Sequence, residues 1–209
     1  EDKLFAELRA TIATWDDQDE AWLASRFNPA STVSRLAAGA PYNRSFRLSV
    51  QKPQGQALLI HGLSDSPYSM KALAESLHAR GIAVTVLRLP GHGTLPSMMT
   101  EMSTRDWTAA VRIAARDVAS RATAGQPFYI GGYSTGGTLA LQYTLDALED
   151  PTLRRPERVL LVSPAIELTP VAALASIIDF LSIVPIPVLE KVRWQEINPE
   201  YDPYKFKSF

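Results

Sequence analysis

The segment Gly132–Gly136, with the sequence Gly-Tyr-Ser-Thr-Gly, holds the residues of this chain that are best suited to chemistry. It directly follows the apolar run Phe128–Ile130 and precedes a stretch with helical spacing of apolar residues. A serine in a sharp turn between a buried strand and a helix is held clear of both, with its hydroxyl exposed at the end of a sheet. Glycines on either side let strand and helix approach closely around a strained serine backbone. This context predicts a nucleophilic serine at Ser134 rather than an ordinary glycine-rich turn. We call residues 132–136 the elbow.

Acyl transfer to a serine also needs hydrogen-bond donors for the oxyanion and a general base that an acid orients. The backbone N–H of Thr135 is one predicted donor, because amides at a helix start are unpaired and the helix dipole favours negative charge there. The second donor is expected from the loop after an earlier strand. That loop follows Ala57–Ile60, and Gly62 lets the chain turn the N–H of Leu63 into the site.

Composition narrows the class of protein. The 209 residues fit one domain with a sizeable core, and 46% hydrophobic and 21% charged residues are ordinary globular values. A net charge of −1 gives no reason to expect nucleic acid or an anionic membrane as a partner. The chain has no cysteine, which excludes disulfides and thiolate metal sites, and its three histidines have no metal-ligand spacing. We therefore predict no metal and no cofactor.

No transmembrane segment is predicted either. The most apolar stretch, residues 171–184, is too short to span a bilayer and contains Asp179. The sequence leaves the cellular compartment open.

The elements that must position the elbow alternate along the chain. Continuous apolar strands alternating with helices predict an α/β fold, with a mostly parallel sheet covered by helices on both faces. The predicted strands are 46–50, 57–60, 83–87, 128–130 and 159–162. The predicted helices are 69–80, 104–122 and 135–148, after a helical segment within 1–27.

Several motifs together resemble the α/β-hydrolase superfamily and, within it, bacterial carboxylesterases and monoacylglycerol lipases of the serine hydrolase and lysophospholipase type. These motifs are Leu58–Leu63, Pro90–Gly93, Asp106-Trp107 and Gly131–Gly137. The resemblance implies that Ser134 is the nucleophile and that Leu63 and Thr135 supply the oxyanion amides. The family often has methionine after the nucleophile, but only the backbone N–H of Thr135 is needed.

The resemblance also suggests a domain organisation. Residues 1–45 are expected to form an N-terminal helical extension, and residues 46–164 the N-terminal part of the hydrolase core. Residues 165–209 match the helical cap, or lid, over the acyl pocket, together with a connection to the remaining core.

The catalytic acid and base are not found in the sequence. The chain order in this fold is serine, then Asp or Glu, then histidine, and no histidine follows Ser134. We interpret His61 and His92 as loop-packing residues and His78 as a surface residue. The C-terminal strands are therefore expected on a second polypeptide segment that brings Asp or Glu and a histidine and covers the apolar edge 159–162. On this interpretation the chain is a cleavage product, a separate gene product or a truncated sequence.

The sequence thus favours a serine-dependent hydrolase of carboxylic esters, either short or medium acyl esters or monoacylglycerols, that forms an acyl-enzyme. The same elbow chemistry is compatible with a thioesterase, an amidase or an acyltransferase. A catalytically silent binding protein of the same fold is the alternative from a different class.

Overall fold

The computed structural model describes residues 1–12, 43–93, 96–99 and 101–166. The predicted N-terminal extension beyond residue 12 and the predicted cap beyond residue 166 lie outside these ranges. Residues 42–93 and 99–167 form one compact unit, and the first helix belongs to a second unit.

The described elements follow the predicted alternation. The helices are α1 (Asp2–Ile12), α2 (Lys71–His78), α3 (Thr104–Ser120) and α4 (Thr135–Glu149), with short 3-10 turns at Pro67–Met70 and Pro96–Met99. The strands are β1 (Phe46–Leu48), β2 (Gly55–Ile60), β3 (Ile82–Leu87), β4 (Phe128–Tyr133) and β5 (Arg158–Val162).

The five strands form one sheet in the order β1-β3-β2-β4-β5. Strand β1 is antiparallel to β3, and the other neighbours are parallel, which confirms the predicted mostly parallel sheet. The register pairs Ile60 of β2 with Gly132 of β4. Because both strands run the same way, the chain leaves both at the same edge of the sheet.

Apolar side chains cover both faces of the sheet, as predicted. All six residues of β2 are buried, and the four apolar side chains at 57–60 alternate between two core clusters. Leu58 and Ile60 pack with residues of α3 and α4, whereas Ala57 and Leu59 pack with Met70 and residues of α2. Helices thus hold the central strand in place from both sides, and with it the loop that follows it.

Strand β5 has one neighbour among the described residues, β4. Its last two residues are apolar and exposed, Leu161 at 39% and Val162 at 44%. Within the described ranges, every helix is too short or too polar to span a bilayer.

The other predicted bounds agree with the structure within three residues, and one helix shows why both of its ends differ. The helix predicted over 69–80 begins at Lys71, because a 3-10 turn occupies Pro67–Met70. It ends at His78, and Gly81 follows with a φ of +77°, a left-handed conformation that glycine adopts without a steric penalty.

Candidate active site

Ser134 lies between the last residue of β4 and the first residue of α4, with a φ of 51° and a ψ of −119°. A positive φ is uncommon for a residue other than glycine, and such backbone strain costs about 1–3 kcal/mol. The serine is partly exposed. The strained turn predicted from the glycine pattern is therefore present at the carboxyl end of a buried strand.

The glycines around Ser134 are required by the close approach of strand and helix. A Cβ atom on Gly132 would lie 2.3 Å from the backbone carbon of Gly136. A Cβ atom on Gly136 would lie 2.2 Å from the carbonyl oxygen of Ile60, at the end of β2. Real Cβ atoms do not approach backbone atoms so closely, so both positions exclude any side chain.

The end of β5 and the turn after it hold the backbone of Ser134 on both sides. The Ser134 N–H donates to the carbonyl oxygen of Val162 at 3.0 Å, and the Ala165 N–H donates to the carbonyl oxygen of Ser134 at 3.2 Å. Ser163, between these two residues, also has a positive φ of 43°. These bonds support the strained serine, and no pattern in the sequence pointed to them.

The sheet register brings the two predicted oxyanion donors to the same edge. Leu63 follows Ile60 by three residues, and Thr135 follows Gly132, the partner of Ile60, by the same number. Thr135 begins α4, where its N–H has no carbonyl one turn earlier in the helix. Gly62 packs against the elbow, since a Cβ atom there would lie 3.0 Å from the ring of Tyr133.

His61 holds the peptide group that contains the Leu63 N–H. Its side chain is fully buried, and Nε2 accepts the N–H of Leu89 at 3.1 Å. The ring proton is therefore on Nδ1, which donates to the carbonyl oxygen of Gly62 at 2.8 Å. In a trans peptide the C=O and the N–H point in opposite directions. The Leu63 N–H is thus directed away from His61.

Burial, with a further contribution from nearby His92, lowers the pKa of the His61 imidazole to about 3. The ring is therefore neutral at ordinary pH. Both of its nitrogens are engaged by backbone groups, which leaves neither available as a base.

His92 has the same kind of environment. Its Nε2 lies 2.6 Å from the carbonyl oxygen of Leu63, and its Nδ1 lies 3.0 Å from that of Pro90. Burial lowers the pKa of the His92 imidazole, and its contacts with the two carbonyl oxygens offset part of that effect. The Trp107 indole N–H also donates to the Pro90 oxygen, at 3.1 Å. One network thus contains residues of three motifs noted in the sequence.

The third histidine is also engaged by the backbone. His78, at the end of α2, has Nε2 3.0 Å from the carbonyl oxygen of Ser49. All three histidines of the chain lie in the described ranges, and none bonds to Ser134. Within these ranges, no other side chain forms a hydrogen bond with the Ser134 hydroxyl.

Two aspartates, one on α3 and one on α4, form hydrogen bonds with neighbouring residues of the fold. Asp106, in the first turn of α3, accepts the N–H of Ser103 at 2.9 Å and its hydroxyl at 2.6 Å. These bonds lower the pKa of the Asp106 carboxyl. Asp146 on α4 pairs with Arg112 of α3 at 2.7 Å, and its side chain is 18% exposed. In the described part of the chain, no group of three or more His, Cys, Asp or Glu could hold a metal ion.

The fold combines a buried, mostly parallel sheet with a strained serine at the carboxyl end of a central strand and a helix that begins at the next residue. This combination defines an α/β-hydrolase architecture. Comparison with protein families agrees: the chain belongs to the alpha/beta hydrolase family, with a match over residues 57–206.

Individual relatives include lipases. The chain is 38% identical over 84 residues to a thermostable monoacylglycerol lipase from Bacillus sp. (strain H-257), covering 40% of this chain and 32% of that protein. A solved structure from work on LipS and LipT, two metagenome-derived lipolytic enzymes, has a TM-score of 0.55 and 30% identity, covering 65% of this chain and 51% of the other.

A soluble variant of monoglyceride lipase from Saccharomyces cerevisiae, solved with a substrate analogue, has a TM-score of 0.56. At 21% identity, covering 71% of this chain and 48% of the other, it supports the fold alone. The chain thus spans about a third of the curated relative and about half of each solved structure.

Proposed function

We propose that the whole protein hydrolyses carboxylic esters through an acyl-enzyme intermediate on Ser134. The observation that carries the proposal is the backbone of this serine, whose positive φ is supported on one side by the glycine contacts and on the other by the turn after β5. Strain of this kind persists where the surrounding structure enforces it, and such sites are often functional.

The proposed substrates are short or medium acyl esters or monoacylglycerols. The similarity to a monoacylglycerol lipase and to metagenome-derived lipolytic enzymes favours an ester over a thioester or an amide. Residues 165–209 would contribute the cap over the acyl chain, and residues 1–45 the N-terminal extension.

In the proposed mechanism, the Ser134 oxygen attacks the ester carbonyl and a general base takes the hydroxyl proton. The oxyanion that forms accepts hydrogen bonds from the N–H groups of Leu63 and Thr135. The alcohol leaves with a proton returned by the base, and water then attacks the acyl-enzyme by the same route. The Ser134 oxygen regains its proton in the last step.

The base is proposed to come from a polypeptide segment outside these 209 residues, together with its orienting Asp or Glu. Support comes from the histidines, because both ring nitrogens of His61 and of His92, and Nε2 of His78, already contact backbone groups. The exposed apolar end of β5 is a suitable place for that segment to join the sheet.

The test is to label the whole protein with a fluorophosphonate probe and to measure hydrolysis of p-nitrophenyl butyrate and of a monoacylglycerol. We expect stoichiometric labelling that peptide mapping assigns to Ser134, with turnover of at least one of the esters. A protein that is neither labelled nor active would instead be a silent binding protein of this fold. If Ser134 is labelled but a thioester or an amide is cleaved faster than either ester, the substrate class is a thioester or an amide and not an ester.

A further inference from the structure

His92 is buried, with only 2% of the residue exposed, and it joins three segments of the fold. It belongs to the loop after β3, contacts the loop after β2 through Leu63 and lies edge-on to Trp107 of α3, with ring centroids 5.4 Å apart. The mechanism proposed above gives this residue no role.

The proton on the ring can be assigned from its partners. Carbonyl oxygens only accept hydrogen bonds, and a neutral imidazole carries one N–H. The Pro90 oxygen already accepts the indole N–H of Trp107, whereas the contact between Nε2 and the Leu63 oxygen is the shorter of the two, at 2.6 Å. The shorter contact therefore places an N–H on Nε2, which donates to the Leu63 carbonyl oxygen whether the ring is neutral or protonated.

The Asp65 N–H donates to the Gly62 carbonyl oxygen at 3.3 Å in the turn around Leu63. Leu63 itself gains little from side-chain packing, because the residue is 41% exposed although it is apolar and Gly62 before it has no side chain. Its backbone is instead held on both sides. His61 binds the carbonyl oxygen of Gly62, in the peptide before Leu63, and His92 binds the carbonyl oxygen of Leu63, in the peptide after it.

His92 is itself firmly supported. The Arg88 guanidinium donates to the His92 carbonyl oxygen at 2.8 Å, and the His92 N–H donates to the carbonyl oxygen of Leu89 at 3.1 Å. The His61 ring lies 5.0 Å away between centroids. A rigid donor of this kind can fix the torsion angles of an exposed loop residue.

We propose that His92 is a positioning residue of the oxyanion site, whose Nε2–H bond to the Leu63 carbonyl holds the Leu63 N–H towards the substrate oxyanion. This inference rests on the proposed function, because it assigns a role within the same site. Loss of the bond leaves the donor in place but misdirected, so it weakens transition-state stabilisation and has little effect on substrate binding.

The test compares two polar variants that differ in reach. A glutamine amide nitrogen at position 92 occupies roughly the place of Nε2, whereas the amide of asparagine is one methylene shorter and does not reach Leu63. We expect His92→Gln to retain kcat for p-nitrophenyl butyrate within about 3-fold, and His92→Asn to lower it about 10- to 100-fold with KM nearly unchanged. His78→Gln serves as a histidine control away from this loop.

A second readout separates positioning from general damage. Sulfur is a weaker hydrogen-bond acceptor than oxygen, so a thionoester gains less from an oxyanion donor. We expect His92→Asn to lower the ratio of kcat/KM for the ester to that for its thionoester by about 10-fold. A purely structural defect lowers both values together and leaves the ratio unchanged.

The outcomes are distinct. Equal kcat for the glutamine and asparagine variants, or an unchanged ester-to-thionoester ratio, overturns the role of His92 while the proposed function stands. A wild-type protein without turnover or labelling overturns both. The thermal midpoint of each variant shows whether a loss of activity reflects unfolding. If a variant is partly unfolded, the ester-to-thionoester ratio of kcat/KM still tests the role of His92, because only the folded protein contributes to both values.

Discussion

The α-carbon of Gly136 lies so close to the end of β2 that a methyl group on it would come within 2.2 Å of the carbonyl oxygen of Ile60. The contact is between backbone groups of a helix start and a central strand. Neither can rotate out of the way like a side chain, so the helix can begin beside the strand only if position 136 is glycine.

Gly136→Ala is therefore expected to push α4 away from β2. Overpacking of this kind costs about 1–3 kcal/mol or more, and the displaced helix start takes the Thr135 N–H with it. We expect a lower urea midpoint and a loss of ester turnover.

Gly125→Ala is the control for Gly136→Ala. Gly125 has a φ of +79° with no atom within 4 Å of the added Cβ, so alanine there meets a backbone penalty that is absent at position 136 but no clash. It should be less destabilising and should keep the wild-type kcat. Comparable stability and activity for the two variants would contradict the explanation.

Ser134→Ala is expected to abolish ester hydrolysis, with a fall in kcat on the order of 10⁴- to 10⁶-fold, as for other serine nucleophiles. The hydroxyl forms no hydrogen bond within the described residues, so the fold should be almost unaffected. Steady-state kinetics and fluorophosphonate labelling measure the effect, with Ser120→Ala as a surface serine control. Turnover that survives in a clean Ser134→Ala preparation is incompatible with a serine mechanism.

Ser134→Gly should make the protein more stable than Ser134→Ala. Alanine keeps the Cβ atom and hence the penalty of a φ of 51°, whereas glycine relieves it. The difference in free energy of unfolding is expected to be about 1 kcal/mol in favour of glycine. Urea denaturation of the two inactive variants measures it directly. If alanine is equally stable or more stable, the elbow does not store the inferred strain.

The buried His61 predicts a dependence of stability on acid pH. Unfolded, this imidazole binds a proton near its ordinary pKa of about 6.5, whereas in the folded protein its pKa is about 3. Between these values the unfolded state carries more protons, so the free energy of unfolding falls as pH is lowered. For one group, the slope approaches 1.36 kcal/mol per pH unit.

His61→Asn should flatten this slope, because asparagine keeps a donor for the Gly62 carbonyl but does not titrate. The measurement is the urea midpoint at a series of pH values from 7 down to 4. His92, whose pKa is also lowered, leaves part of the slope in place. Identical slopes for wild type and His61→Asn would mean that His61 is not buried in its neutral form.

Much of the fold could be predicted because local patterns encode it. The alternation of continuous apolar strands with helices indicated a mostly parallel sheet covered on both faces, and the glycines at 132 and 136 indicated a tight strand–helix turn. Each of these signals lies within a few residues of the element that it specifies. The motifs that suggested the family are likewise short segments, and the family assignment is confirmed.

The hydrogen bonds that support the candidate site could be identified only from the tertiary structure. Val162 at the end of β5 and Ala165 in the turn after it bind the backbone of Ser134, and no side-chain pattern reports a backbone hydrogen bond between segments about 30 residues apart. The sequence predicted that His92 packs in a loop, but its bond to Leu63 spans 29 positions of the chain. The sequence by itself determined which residue types occupy the elbow, whereas the register of β2 with β4 decided which distant backbone groups meet there, because register depends on packing of the whole sheet.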